Sequence, residues 1–110
     1  MIFSSPYKAM WLVVLFDLPT DTKASRYAYT TFRTNLLKNG FDMIQYSVYS
    51  RYCNSADKAD VHLRRIKLSI PDGGEVRIMS ITDKQYAKMQ IYRGKTRGAA
   101  ERPPAQVEMF

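Results

Sequence analysis

Residues 10–21 read MWLVVLFDLPTD, in which a run of β-branched and aromatic residues leads directly to a single carboxylate, Asp17. An apolar run of this kind predicts a buried central strand. Pro19 has no amide hydrogen to donate to a central ladder, so the strand must end close to Asp17. A carboxylate between a strand and the start of a helix is suited to hold a metal ion or to meet a phosphate. The ordinary alternative is that Asp17 only shapes the turn.

An amphipathic helix is predicted over residues 23–38. The preceding residues 20–22 (TDT) offer side chains that can cap its first turn, and Asn39 with Gly40 forms a typical C-terminal stop. Apolar side chains recur at helical spacing on one side of this helix, namely Ala28, Tyr29, Phe32 and Leu36. Another side carries a polar and basic stripe, namely Lys23, Arg26, Thr30 and Arg33. We therefore expect the helix to pack on a sheet and to present its basic stripe to solvent.

Two strands and a second helix are predicted next. Residues 41–53 are rich in Tyr, Val and Ile and are too many for one ordinary strand, so we expect two strands that meet tightly near Gln45 and Tyr46. Asn54 and Ser55 then provide caps for a helix. Its buried side is marked by an apolar stripe at helical spacing, namely Ala59, Leu63, Ile66 and Ile70.

The remaining residues predict a turn, a strand and a tail. Residues 71–74 (PDGG) form a strong turn signal, and residues 75–81 (EVRIMSI) predict a strand. We interpret residues 82–85 as a polar connection and residues 87–92 (AKMQIY) as a short additional strand. Residues 93–110 are dominated by Gly, Arg and Pro, which predicts a flexible tail. The apolar tip of this tail is expected to dock onto a partner through Val107, Met109 and Phe110.

The order of these elements predicts an α+β fold. Strand, helix, strand, strand, helix and strand make a ferredoxin-like βαββαβ sandwich, here with an extra C-terminal strand. The domain would span residues 10–92, after an N-terminal extension of residues 1–9. Both helices would cover one face of an antiparallel sheet and leave a second face, which carries aromatic residues, uncovered. The simplest cover is a second copy of the chain, so we expect a sheet-to-sheet homodimer.

The composition favours a nucleic-acid partner in the cytoplasm. The 110 residues suffice for one domain, and 17 Lys and Arg against 10 Asp and Glu give a formal net charge of +7. This balance suits a polyanion, with nucleic acid favoured over a membrane. No apolar run approaches the roughly 18 residues that cross a bilayer, and we expect no signal peptide. The single cysteine, Cys53, is expected to be a buried, unreactive thiol.

Several basic side chains are candidates for sequence-independent contact with backbone phosphates. Lys23, Arg26 and Arg33 fit this role best because they share one side of a predicted helix. Weaker candidates are Arg51, Arg64, Arg65 and Lys67. For each residue singly, a merely solvated basic face remains the alternative. The sequence contains no HExxH motif, zinc-ligand spacing, P-loop or serine nucleophile elbow, and we expect the sole histidine, His62, to be a packing or helix-surface residue.

Three segments together resemble a known family. These are LFDLP at residues 15–19, TKASR at 22–26 and FRTNLLKNGFDMIQYSVYSRYC at 32–53. They closely resemble the small CRISPR-associated protein, the smaller of the two universal spacer-acquisition proteins and the partner of the CRISPR integrase. These segments are most similar to the branch of the family that is found in type II systems. Many family members have an arginine where this chain has Met43, so any role of that arginine is not carried over.

The resemblance implies a ferredoxin-like dimer in which a terminal strand often completes the partner's sheet. It implies two roles in antiviral defence. One is hydrolysis of RNA or DNA that depends on Mg²⁺ or another divalent cation, with Asp17 as the metal ligand and catalytic residue. The other is a scaffold that bridges CRISPR integrase subunits and holds double-stranded DNA during spacer acquisition. A toxin-like metal-dependent endoribonuclease that acts without an integrase is the main alternative.

Overall fold

A four-stranded antiparallel sheet with its two long helices on one face forms the centre of the protein. The computed structural model describes residues 8–94. The strands lie in the order β2-β3-β1-β4, with every neighbouring pair antiparallel, so the predicted ferredoxin-like α+β fold is confirmed. The elements are β1 (Met10–Asp17), α1 (Lys23–Lys38), β2 (Asp42–Gln45), β3 (Val48–Cys53), α2 (Ala56–Leu68), β4 (Glu75–Thr82) and α3 (Asp83–Ala87).

The central position of β1 explains its apolar sequence. It pairs with β3 on one side and with β4 on the other, so neither of its edges meets solvent. Alternate residues Leu12, Val14 and Phe16 point toward the helices and are buried in the core. The helices contribute their own buried side chains to this core, namely Phe32 and Leu36 from α1 and Ala59 and Ile66 from α2.

The predicted helix limits follow from local capping. Thr22 and Ser25 form a reciprocal capping box at the start of α1, and Ser55 accepts the amide of Lys58 at the start of α2. Because α2 ends at Leu68, Ile70 lies beyond the helix and is exposed. The apolar stripe predicted to reach Ile70 therefore stops at Ile66.

The predicted break within residues 41–53 is confirmed at Tyr46 and Ser47. Ser47 has a φ of 61°, in the left-handed region that residues with a Cβ seldom adopt. The turn is attached to the central strand, because the Phe16 amide donates to the Ser47 carbonyl over 3.1 Å. The tip of the β2–β3 hairpin therefore lies beside the last residues of β1.

The extra C-terminal strand predicted over residues 87–92 is absent from this chain. Thr82 and Gln85 form a second capping box, so the segment expected to be a polar connection starts α3. Ala87 is the last residue of that helix, and no strand occurs within residues 88–92. The capping box explains why residues 83–87 are helical, but it does not reach residues 88–92, whose pairing with the sheet of a partner stays a prediction.

Helix α3 covers part of the second face of the sheet. The ring of Tyr86 stacks on Trp11 at a centroid distance of 3.8 Å, and Trp11 Nε1 donates to Asp83 over 2.8 Å. The Tyr86 hydroxyl lies 3.1 Å from Oγ of buried Ser50. This face was expected to be wholly uncovered within one chain. The Trp11 end instead receives cover from its own chain, and the end near Asp17 does not.

Two predicted segments fall mainly outside the described residues. The apolar tip Val107, Met109 and Phe110 lies there, as do most of the tail over residues 93–110 and most of the extension over residues 1–9. Within residues 8–94, no helix is both long enough and apolar enough to cross a membrane.

Candidate nucleic-acid interface and carboxylate site

Asp17 is an exposed carboxylate at the last position of β1. The next residue, Leu18, is buried and anchors the chain as it leaves the sheet. Gly74 packs against this exit so closely that a Cβ placed on it would lie 2.5 Å from the Asp17 carbonyl oxygen. The backbone that presents the Asp17 side chain is therefore held between the sheet and the turn before β4.

A second carboxylate lies across the sheet from Asp17. Glu75, the first residue of β4, is its direct partner in the β1–β4 register. Directly opposed residues project to the same face with Cβ atoms about 5 Å apart. Glu75 is not among the site residues predicted from the sequence. The two strands each have eight residues and pair end to end, but no local pattern in the sequence gives this register.

The side chains near Asp17 could supply the few protein ligands that Mg²⁺ needs. They are too few for a metal ion whose ligands all come from the protein. The carboxylate of Glu75 is already engaged, because Arg77 Nη1 donates to its Oε1 over 2.8 Å. Among residues 8–94, no group of three or more His, Cys, Asp and Glu side chains converges on one point. Mg²⁺ is commonly held by one or two carboxylates and keeps several water molecules. Asp17, alone or with one further carboxylate, satisfies that requirement.

The structure brings Lys23, Arg26 and Arg33 together on exposed positions of α1. The Arg26 guanidinium also donates to the Thr20 carbonyl over 3.1 Å, which ties this side chain to the loop that follows Asp17. The sequence of α1 contains no acidic residue, and the ion pair between Arg77 and Glu75 is the one found in the described part of the chain. Among residues 8–94, therefore, no acidic side chain forms an ion pair with the basic stripe.

The other basic candidates lie on other elements than this stripe. Arg64, Arg65 and Lys67 are exposed on α2. Arg64 and Lys67 are three residues apart and share one side of this helix, whereas Arg65 points about 100° away from Arg64. Arg51 is partly buried on β3, and its guanidinium donates to the Gly40 carbonyl over 3.4 Å. A Cβ on Gly40 would overlap the Arg51 guanidinium, so the absence of that atom makes room for this arrangement.

His62 and Cys53 lie near Arg51 and are poor candidates for chemistry. Nδ1 of His62 and Nε of Arg51 are buried without a hydrogen-bond partner among the described residues. Burial lowers the pKa of His62, and the positive charges of Arg51, Arg65 and Lys58 lower it further. Burial also raises the pKa of Cys53, which keeps this group a thiol despite the opposing effect of Arg51. Cys53 is 3% exposed, in agreement with the expected buried thiol.

Comparisons with known proteins agree with the resemblance in the sequence. The family model described as CRISPR associated protein Cas2 matches residues 10–89. A protein of Parvibaculum lavamentivorans is 48% identical over 101 residues, which cover 92% of this chain and 100% of the relative. A protein of Flavobacterium psychrophilum is 42% identical over 94% of this chain and 90% of its own length. A protein of Paracidovorax avenae is 45% identical over 94% and 96% respectively.

Each of these three relatives is named CRISPR-associated endoribonuclease Cas2. The matched region contains β1 with Asp17, the basic stripe of α1, the whole sheet and α3. The similarity thus extends over the fold and both candidate sites, and the chain belongs to the Cas2 family of CRISPR-associated proteins.

Proposed function

We propose that this protein acts in CRISPR adaptation as a homodimeric scaffold that holds double-stranded DNA and bridges subunits of the CRISPR integrase. The observation that carries this proposal is the basic stripe of Lys23, Arg26 and Arg33 on an exposed side of α1, which forms no ion pair within the described part of the chain. Lys and Arg side chains that contact backbone phosphates bind DNA of any sequence. This mode of binding suits a protein that must hold captured DNA of variable sequence.

The proposed dimer would form through the part of the second sheet face that α3 leaves uncovered. Met79 is 46% exposed on this face, and Leu15 is partly exposed nearer to Asp17. Apolar side chains on an uncovered sheet face are a usual basis for association of two copies. Light scattering should give about twice the monomer mass of 12.7 kDa, and a monomer at micromolar concentration would contradict this assembly.

The proposed metal ligand is Asp17, contributed by each protomer of the dimer. When bound, Mg²⁺ would polarise a phosphate and activate water for phosphodiester hydrolysis. The Leu18 anchor and the close packing of Gly74 hold the Asp17 backbone in place at the sheet end. No buried base lies beside Asp17 in the described residues, because His62 is located on α2. We therefore expect any hydrolysis to be slow.

The second candidate function is metal-dependent cleavage of RNA without an integrase. It is favoured by the name endoribonuclease carried by the relatives, together with the exposed carboxylate at the end of β1. Tight co-purification of the protein with an integrase would support the scaffold. Cleavage of RNA by the protein alone, without any affinity for duplex DNA, would support the toxin-like alternative.

The test of the scaffold is binding of a short mixed-sequence DNA duplex at several salt concentrations. The Lys23→Ala, Arg26→Ala, Arg33→Ala triple variant should bind all sequences more weakly, with the slope of log affinity against log salt reduced by about 2.7 if all three contact phosphates. A matched control removes three other exposed positive charges, through Lys84→Ala, Lys88→Ala and Arg93→Ala. Equal loss in both variants would show a general charge effect and contradict this interface.

Replacement of Asp17 separates the scaffold from catalysis. Asp17→Asn keeps the size of the side chain but removes its charge, so Mg²⁺-dependent cleavage should be lost while duplex binding and spacer acquisition with the integrase persist. Asp60→Asn removes an exposed carboxylate from α2 and serves as the control. Loss of acquisition by a stably folded Asp17→Asn dimer would overturn the scaffold and favour hydrolysis as the main function.

A further inference from the structure

We propose that the hydroxyl groups of Tyr29, Tyr46 and Ser47 form a phosphate-binding subsite for the backbone of duplex DNA. The inference rests on the proposed function, because it assigns neutral hydrogen-bond donors to the same DNA-binding surface as the basic stripe. The three side chains come from α1 and from the tip of the β2–β3 hairpin, which are far apart in the sequence. The fold brings them to one place.

The hydroxyl group cluster is held by specific contacts. The Tyr29 hydroxyl lies 3.3 Å from Ser47 Oγ, and the Tyr29 ring packs edge-on against Phe16 at a centroid distance of 5.7 Å. The hairpin tip is fixed by the 3.1 Å hydrogen bond from the Phe16 amide to the Ser47 carbonyl. Tyr29 and Ser47 are partly buried, whereas Tyr46 is 76% exposed. A ligand in solvent can therefore reach the cluster from the side of Tyr46.

The position of Tyr29 on α1 places this cluster beside two arginines. Arg26 precedes Tyr29 by three residues and Arg33 follows it by four, and residues at these spacings are neighbours on a helix surface. The two arginines are about 10 Å apart along the helix axis, with Tyr29 between them. A phosphate that approaches the cluster therefore meets positive charge on both sides. Tyr and Ser hydroxyls together with Arg are common donors to backbone phosphates.

Two properties suit these hydroxyls to donate to an anion. Ser47 has a positive φ that glycine would adopt without strain. A serine at this position instead places a hydroxyl group within hydrogen-bond distance of Tyr29. The hydrogen-bonding interaction with Tyr29 raises the pKa of Tyr46, and the charge interaction with Tyr29 raises it further. The same interaction indicates that the Tyr46 side chain reaches Tyr29, and a neutral tyrosine hydroxyl is a hydrogen-bond donor.

The first experiment compares Tyr46→Phe with Tyr27→Phe in duplex binding by the full chain at fixed salt. Tyr27 is a matched control because it is 74% exposed and lies on α1, across the basic stripe from Tyr29. Loss of one hydrogen bond to a phosphate predicts affinity weaker by about tenfold for Tyr46→Phe. Tyr27→Phe should bind as the unaltered protein does. Equal affinity of both variants with the unaltered protein would overturn the proposal.

The second experiment uses Ser47→Gly, which relieves the left-handed backbone and removes the hydroxyl. A subsite predicts weaker duplex binding together with an unchanged or higher melting temperature, since glycine tolerates this φ. Unchanged binding would assign Ser47 a purely structural role and contradict the proposal. If Tyr46→Ala weakens binding but Tyr46→Phe does not, the ring stacks on a base instead of donating to a phosphate, which would also contradict it.

These results are distinguishable from failure of the proposed function. If the triple variant of the basic stripe loses affinity while Tyr46→Phe and Ser47→Gly retain it, the scaffold stands and the hydroxyl subsite is wrong. If the stripe variant retains full affinity while the hydroxyl variants lose it, the subsite is supported and the stripe assignment is wrong. If neither set affects binding, DNA uses another surface and both proposals fail.

Discussion

Replacement of Gly74 by alanine tests whether close packing at the exit of β1 positions Asp17. Gly74 and its neighbour Gly73 both have positive φ, at 73° and 83°. They differ in their surroundings. A Cβ on Gly74 would lie 2.5 Å from the Asp17 carbonyl oxygen and 2.8 Å from Leu18 Cδ2, whereas a Cβ on Gly73 would meet only Pro19 Cγ at 4.0 Å. Gly73→Ala is therefore a control with the same backbone strain and no overlap.

The expected magnitudes follow from these distances. Alanine in the left-handed region costs roughly 1 kcal/mol relative to glycine, which is the whole effect expected for Gly73→Ala. Gly74→Ala adds overlap with backbone and with a buried leucine, and overpacking of this kind costs about 1–3 kcal/mol more. For a domain of this size, 1 kcal/mol corresponds to about 4–8 °C in melting temperature. We expect a decrease of about 5 °C for Gly73→Ala and about 10–25 °C for Gly74→Ala.

The assay is thermal unfolding followed by circular dichroism, with urea unfolding as a check that the m value is unchanged. Because the overlap displaces the Asp17 carbonyl, Gly74→Ala should also weaken Mg²⁺-dependent cleavage at temperatures where the variant is folded. Equal melting temperatures for the two alanine variants would refute the reasoning. That result would mean that the turn before β4 does not constrain the backbone of Asp17.

Further predictions concern α3, His62 and Cys53. Tyr86→Phe keeps the stack on Trp11 but leaves buried Ser50 without its partner, so the free energy of unfolding should fall by about 1 kcal/mol. Tyr86→Ala also removes the stack, so it should lower the free energy of unfolding further and change the fluorescence of Trp11. Because the pKa of His62 is lowered in the folded state, its contribution to stability is complete above about pH 6.5 and is lost as the pH falls. His62→Gln should therefore make the melting temperature decline less steeply between neutral and acidic pH. Cys53 should resist a thiol reagent until the protein is unfolded, and rapid labelling of the native protein would contradict its burial.

Local patterns in the sequence were sufficient for most of the fold. The apolar run before Asp17 indicated the central strand, and Thr22 with Asn39 limited α1 to the residues observed. Periodicity and capping depend on neighbours within a few residues, so they can be read from the chain directly. The basic stripe of α1 follows from the same helical spacing and was predictable for that reason.

Contacts between distant segments could not be predicted in this way. Glu75 reaches Asp17 only through the register of β1 and β4, and Ser47 reaches Tyr29 only because the hairpin tip bonds to Phe16. The segment after Thr82 shows that local patterns can also be missed, since residues 82–85 were interpreted as a polar connection while the capping box of Thr82 and Gln85 starts α3.

The sequence by itself determined the order of elements as far as β4, the charge and the family of this protein, because these depend on composition, periodicity and short motifs. Only the tertiary structure decided which side chains share a site. It placed Glu75 across from Asp17 and separated Arg51 from the basic stripe of α1 by turning its guanidinium to Gly40. The physical reason is that sheet register and packing bring together residues that are far apart along the chain. No local pattern in the sequence indicates that such residues are close in space.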